Sequence, residues 1–458
     1  MIATLKGLAK YLSLDEAVIY FILARVFALV VTPLILLLIA SKLTAEEQGF
    51  YFAFYSLISL SLFFELGLGG VLTYFASYEY SKLTWTKDNR LSGHRLSMGR
   101  LADLLHRSLR WYGAICACFA VIVLCVGYLI FRQYESKQAV DYVLPWILTV
   151  LFFSLGTAII PLTSILDGCG QIAKTQRLRL QQAIASQLSV ATVLLLNGKL
   201  YAIPVESAAS VVVFLIWVLR RYRALLWQLL LHPAPLSDRV SWRNDILPMQ
   251  MRVAAYVVSA YFQSYAIVPL LFQFSGPVEA GRMGLSMRIN NSIYNLSMGW
   301  LNVRAPQVGV LVAQGNEAEA YKVVKGATTR GVLVACLGVV ALVVLVSVVK
   351  FVSPTFQGRV LPLVPMFVLA LVVPVSIFLA GLSTFLRAHK IEPYGFPSII
   401  TSLVIFLACF LCAYLATAAV LAYVYSALVF FVVLPVFGMI FKQHKSRIFL
   451  EAVVCPKD

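Results

Sequence analysis

ILPMQMRVAAYVVSAYFQSYAIVPLLF (residues 246–272), QFSGPVEAG (273–281) and RMGLSMRINNSIYNLSMGWLNV (282–303) decide how this chain folds. Both outer runs are long enough for a bilayer, which takes about 20 apolar residues in a helix. Each nevertheless carries polar residues where lipid offers them nothing. At helical spacing Arg252, Tyr256, Ser259 and Gln263 share one face of the first run, and Arg288, Asn291, Asn295 and Asn302 share one face of the second. Two spanning helices with polar stripes can bury those stripes only against each other or against a watery cavity. The expectation is a cationic pathway walled by these two helices.

The rest of the chain supports a membrane setting. Of 458 residues, 61% are hydrophobic and only 12% charged, and the mean hydropathy is +0.87, beyond what a water-soluble domain sustains. The net charge of +17 would suggest nucleic acid in a soluble protein. Placing the N-terminus in the cytoplasm and reading twelve spans puts 27 of the 37 Lys and Arg in cytoplasmic segments, 6 outside and 4 within spans. That bias orients a membrane protein, and no nucleic-acid partner is expected. The motif Cys409-x-x-Cys412 lies in an apolar run without a second pair, and the five histidines are scattered, so neither a metal site nor another bound cofactor is expected. Nor is there a nucleotide-binding loop of the GxxxxGK type.

In chain order, spans are expected near 18–40, 50–75, 111–131, 143–166, 180 onward and 202–219, then the two organising runs, then 331–352, 361–386, 398–417 and 419–441. Arg25 and Glu65 sit at comparable depths in the first two spans and are expected to pair. RLADLLHRSLRWY (100–112) and NEAEAYKVVKGATTR (316–330) have the pattern of amphipathic helices on a membrane surface. Residues 1–219 form an N-lobe, 220–245 a cytoplasmic linker and 246–458 a C-lobe. The halves echo one another: LTSILDGCGQI (162–172) matches LSTFLRAHKI (382–391), and EQGFY (47–51) matches EAGRM (279–283). A parallel repeat places a site at the interface of the halves. The fold class is therefore all-α and polytopic, with twelve transmembrane helices in two pseudo-symmetric six-helix lobes.

LTAEEQGFYFAFYSLISLSLFFELGLGGVL (43–72) and GPVEAGRMGLSMRINNS (276–292) resemble the polysaccharide-transport branch of the MOP exporter superfamily. That branch includes Wzx-type flippases of lipid-linked oligosaccharides and is related to MATE drug exporters. The resemblance implies a MATE-like fold, alternating access, and cationic residues that hold an undecaprenyl-pyrophosphate-linked sugar unit. It implies no enzymatic activity, a bacterial inner-membrane location with both termini cytoplasmic, a role in lipopolysaccharide or O-antigen export, and the polysaccharide polymerase machinery as a partner. The MATE branch tends to carry acids inside its lobes, whereas the mid-span acid here is Glu65, and lipid II flippases usually have fourteen spans.

The residue chemistry suits such a substrate. A guanidinium offers five donors matched to pyrophosphate oxygens, which is the role expected of Arg25, Arg252 and Arg288. The carboxamides of Asn291, Asn295 and Gln263 can hydrogen-bond sugar hydroxyls, and Tyr256 can stack on a sugar ring. Glu65 is the candidate for coupling to a proton or sodium gradient. The alternative reading is a cation-coupled multidrug exporter of MATE type.

Overall fold

A computed structural model describes residues 16–134, 140–231, 247–352, 358–389, 391, 393–415 and 417–454. Most of the 220–245 linker lies outside the described residues. The described chain is almost wholly helical and divides into two compact units: residues 1–43 with 57–258, and residues 44–56 with 259–458.

In the first unit, α1 (Glu16–Lys42) packs on α8 (Ile172–Leu195), which packs on α9 (Ala202–Arg221). Helix α2 (Ala45–Ile58), most of which belongs to the second unit, leads to α3 (Ser61–Glu65) and α4 (Leu68–Tyr80), with Leu66 and Gly67 both in the left-handed region at the break. The expected second span is thus bent, by 42°. A hairpin of β1 (Leu83–Trp85) and β2 (Leu91–Gly93) follows, a small exception to the all-α expectation. Then come α5 (Arg95–Arg132), α6 (Val143–Ala158) and α7 (Ile160–Leu166). Between α7 and α8 the backbone leaves helical geometry at Cys169 and Gly170, and the positive φ of 76° is one that glycine adopts freely.

The expected surface helix at 100–112 is instead the start of α5, continuous with the third span. Three of its four leucines are not available to a membrane. Leu101, Leu104 and Leu105 are at most 1% exposed, packed among Leu68, Leu72 and Leu225, the last on the short helix α10 (Arg223–Leu231). An amphipathic pattern shows that one face is apolar, not what covers it.

The second unit opens with a capping box: the Glu47 amide donates to Thr44 Oγ1 and the Thr44 amide donates to Glu47 Oε2, starting α2. The unit also contains the end of α11 (Leu247–Ser264), then α12 (Ile267–Ser275), α13 (Pro277–Ala313), α14 (Glu317–Val352), α15 (Leu363–Ala370), α16 (Val372–Ala388), α17 (Gly395–Leu415), α18 (Ala418–Leu428) and α19 (Leu434–Val454). Here the echoing motifs EQGFY and EAGRM meet. A Cβ on Gly49 would lie 2.0 Å from the Pro277 carbonyl oxygen, and one on Gly281 would lie 2.9 Å from the Gly49 nitrogen. Gln48 Nε2 donates to the carbonyls of Gly281 (2.9 Å) and Arg359 (2.8 Å). Burial holds the Arg359 guanidinium below its ordinary pKa, opposed by Glu46 and Glu47. The expected surface helix at 316–330 is the first part of α14, with Ala320 and Val324 buried; an Asn316 cap on the Glu319 amide starts it.

Among the described residues, eight helices are long and apolar enough to cross a membrane, or nine with the bent pair. This is a multi-pass membrane protein. One of the eight runs 53 residues from Val143 to Leu195. Straight, it would be about 80 Å long; the turn at Cys169–Gly170 divides it. The organising runs 246–272 and 282–303 are not among the eight; helix α11 of the first ends at Ser264, and the helix of the second is rich in Arg and carboxamides.

Candidate functional site

On α13 the polar residues divide by face. Ser286, Asn290 and Ser297 are buried, while Arg288, Asn291, Asn295 and Asn302 are all exposed. Burial of the first face follows from close packing: Gly331 and Gly338 of α14 would meet Ser297 and Ile293 if given a Cβ, and Gly284 of α13 would meet Phe52. Three carboxamides and a guanidinium exposed along one side of a helix present donors and acceptors that water or a polar ligand can satisfy and hydrocarbon cannot.

The Arg288 guanidinium lies 5.5 Å from the centre of the Tyr55 ring. Tyr55 accepts a hydrogen bond from Tyr51 at 3.4 Å, one turn earlier on α2, and the two rings lie 5.1 Å apart. Sequence reasoning did not single out Tyr55. Its i, i+4 relation to Tyr51 is visible in FYFAFYS, but nothing local links it to an arginine more than 230 residues on.

Arg25 is exposed on α1 among Ile22, Val26, Leu29 and Val30, with its guanidinium 5.0 Å from the Phe21 ring. Gln263 is half-buried near the end of α11. Arg252 and Tyr256 belong to the same helix, and their side chains lie outside the described residues.

Glu65 ends α3 at the break and is half-buried. Tyr112 Oη donates to its carboxylate over a long 3.5 Å, and Gln250 Nε2 donates to its backbone carbonyl at 3.4 Å. Gly69, one turn along, is closely packed: a Cβ there would touch Glu65 Oε1, Ser164 Oγ and Ile160. The expected pairing with Arg25 is not formed, and no ion pair joins the two among the described residues. Equal depth along two helices does not fix which way each side chain points, and the break at Leu66–Gly67 turns Glu65 toward α5. Glu206, half-buried near the start of α9, was also passed over; it accepts from Gln187 Nε2 at 3.3 Å. Arg282, by contrast, is committed locally, pairing with Glu279 at 2.6 Å and donating to the Gly358 carbonyl.

No protein-family model matches the sequence, and no curated protein matches it either. The fold does have counterparts. It is similar to an inward-facing multidrug resistance MATE family transporter of the MOP superfamily, with a TM-score of 0.62 at 13% identity over 95% of this chain and 99% of that one. It is equally similar to the lipid II flippase MurJ in an inward closed conformation, with a TM-score of 0.64 at 12% identity over 96% and 90%. A MOP superfamily transporter from Pyrococcus furiosus, described as having a binding pocket of reversed polarity, aligns with a TM-score of 0.54 at 14% identity over 94% and 95%. The chain has the fold of the MOP transporters, as the sequence resemblance implied.

Proposed function

We propose that this protein is a flippase that carries a polyprenyl-pyrophosphate-linked oligosaccharide across the bacterial inner membrane by alternating access. The observation that carries this reading is the exposed face of α13, where Arg288 precedes Asn291, Asn295 and Asn302. A fixed cation followed by uncharged donors and acceptors suits a diphosphate joined to sugar hydroxyls. Arg25, Arg252 and Arg288 screen the pyrophosphate. Asn291, Asn295 and Gln263 bond the sugars, and Tyr256 stacks against them. Twelve spans, in lobes 1–219 and 246–458 joined by a cytoplasmic linker, keep both termini in the cytoplasm, and the unit delivered outside feeds a polymerase of O-antigen type. The structural similarity to a lipid II flippase supports a lipid-linked substrate without fixing its sugar.

The test is a proteoliposome assay with a fluorescent polyprenyl-pyrophosphate oligosaccharide. Wild type is expected to move it and the Arg25→Gln, Arg252→Gln, Arg288→Gln triple variant to fail while remaining folded. Translocation that survives in the triple variant would refute the proposal.

A second reading, a cation-coupled multidrug exporter, is favoured by Glu65, a half-buried carboxylate with a tyrosine donor in a membrane-embedded segment, and by the MATE similarity. It predicts gradient-driven efflux of a cationic drug that Glu65→Gln abolishes, with no movement of the lipid-linked sugar.

A further inference from the structure

We propose that a cavity beside the C-terminal end of α9 binds the phosphate headgroup of an anionic phospholipid from the adjoining leaflet. The cavity has a volume of about 690 Å³, and its walls are graded in chemistry. Arg220 and Arg221 in the last turn of α9, with the Asn89 carboxamide, form its polar end, while Gln181 lines it near Val213, one residue from the Gln182 that donates to Ser210. Val213 and Ile216 form its apolar end, and Trp217 stands between. Positions 213, 216, 217 and 220 follow i, i+3, i+4, i+7, so one face of one helix presents the gradient.

Three observations point to a phospholipid. The first is uncompensated charge. Elsewhere in this unit Arg100, Arg107 and Arg179 pair with Glu79, Asp103 and Asp167. Arg220 and Arg221 are exposed and have no carboxylate partner among the described residues. An anion between the two arginines offsets their charge, and guanidiniums match phosphate oxygens in geometry as well as charge.

The second is a fixed rim. Asn89 sits in the hairpin turn with φ of 54°, its amide donating to the Thr86 carbonyl at 3.2 Å. The hairpin is pinned from both sides. Trp85 Nε1 donates to the Cys169 carbonyl at 2.8 Å, and the Gln228 side chain accepts from the Leu91 amide and donates to its carbonyl. Asp88, the acid in the same turn, is exposed.

The third is the continuation of the apolar wall. Ile216 belongs to an exposed stripe with Val212, Leu215 and Leu219, the face of a spanning helix that acyl chains cover. A soluble anion would use only the arginines, whereas a phospholipid uses both ends, and basic pockets beside spanning helices suit anionic headgroups. None of the residues assigned to transport lines this cavity, so the inference stands whatever the protein carries.

The experiment titrates purified full-length protein in neutral detergent with phosphatidylglycerol and, in parallel, phosphatidylcholine. Native mass spectrometry counts the lipid retained, and a further arm adds inorganic phosphate as competitor. Phosphatidylglycerol is expected to be retained in preference, and the R220Q/R221Q variant to bind it about 25-fold more weakly, roughly five-fold per arginine. R223Q, which removes a neighbouring exposed cation outside the cavity, is expected to bind as wild type does. Should the double variant prove unstable, the single variants carry the test at about five-fold each. Equal retention of the two lipids, unchanged binding in R220Q/R221Q, or an equal loss in R223Q would overturn the proposal. So would displacement of the lipid by equimolar inorganic phosphate, which would make this a site for a soluble anion.

Discussion

Replacing Gly49 with alanine sets one methyl group against a backbone that cannot step aside. The new Cβ would lie 2.0 Å from the Pro277 carbonyl oxygen, 2.5 Å from its carbon and 2.7 Å from its Cα. Ordinary contact between such atoms begins at about 3.5 Å, so α2 and α13 must separate by roughly 1 Å or more along this line. That shift strains the two buried hydrogen bonds from Gln48 Nε2 to Gly281 and Arg359. Overpacking costs about 1–3 kcal/mol, and weakening buried hydrogen bonds adds about 1–3 kcal/mol. We expect a loss of about 3 kcal/mol, or about 6–12 °C in unfolding temperature for a unit of this size. The control is Gly299→Ala on the same α13, where a Cβ would meet nothing within 4 Å; it should be neutral or stabilise by up to about 1 kcal/mol. Thermal unfolding of the detergent-solubilised variants by tryptophan fluorescence reads both. A Gly49→Ala protein as stable as its Gly299→Ala control would show that the two helix starts do not cross at this glycine pair.

Arg288→Gln should weaken binding of a pyrophosphate-linked substrate by about 10- to 100-fold, the value of a charged hydrogen bond of about 1.5–3 kcal/mol. Because the side chain is exposed, stability should fall by only the cation–π contribution, about 0.5–1 kcal/mol; unchanged affinity in an equilibrium titration removes Arg288 from the site. Asn291→Leu with Asn295→Leu should impair binding of the full oligosaccharide more than that of a polyprenyl pyrophosphate bearing no sugar, and equal losses for the two ligands would contradict a sugar role. Gln228→Leu strands both the amide and the carbonyl of Leu91, at about 1–3 kcal/mol each if they stay dry. It should speed limited proteolysis within residues 86–90; a cleavage rate matching wild type would count against Gln228 as the hairpin's anchor.

The helical fold was legible because the signals that encode it are local. Hydropathy marks apolar helices, although the capping box Thr44-x-x-Glu47 starts α2 at Ala45, ahead of the span expected from residue 50. Gly170 marks a turn because glycine adopts the φ found there without a Cβ penalty. What escaped the sequence is what covers each apolar face. Leu101, Leu104 and Leu105 looked like a membrane-surface stripe, yet they are buried under α4 and α10. Periodicity gives the direction of an apolar face relative to its own helix axis and carries no information about its neighbour. The β-hairpin was missed for a related reason: three-residue strands show no alternation long enough to register, and this pair is held in part by Gln228, well over a hundred residues away.

The same limit sorts the candidate site. Arg288, Asn291 and Asn295 share a face because 3.6 residues make a turn, and the structure exposes that face. Arg25 and Glu65 were matched by depth alone, and the match fails because the left-handed pair Leu66–Gly67 resets the azimuth of Glu65 toward Tyr112. The repeat supplies a distance relation that periodicity cannot. EQGFY and EAGRM echo in sequence, and both place an acid in the first turn of a long helix with a glycine two residues later. Two helices that start alike and cross at their glycines bring equivalent positions together, so the next turns of each also face a common space. Tyr51 and Tyr55 lie four and eight residues beyond Glu47, and Arg288 lies nine beyond Glu279, which is how a tyrosine pair and an arginine far apart in the chain meet. The echo marks which helix starts are equivalent, and the glycine contact between them sets Tyr55 beside Arg288.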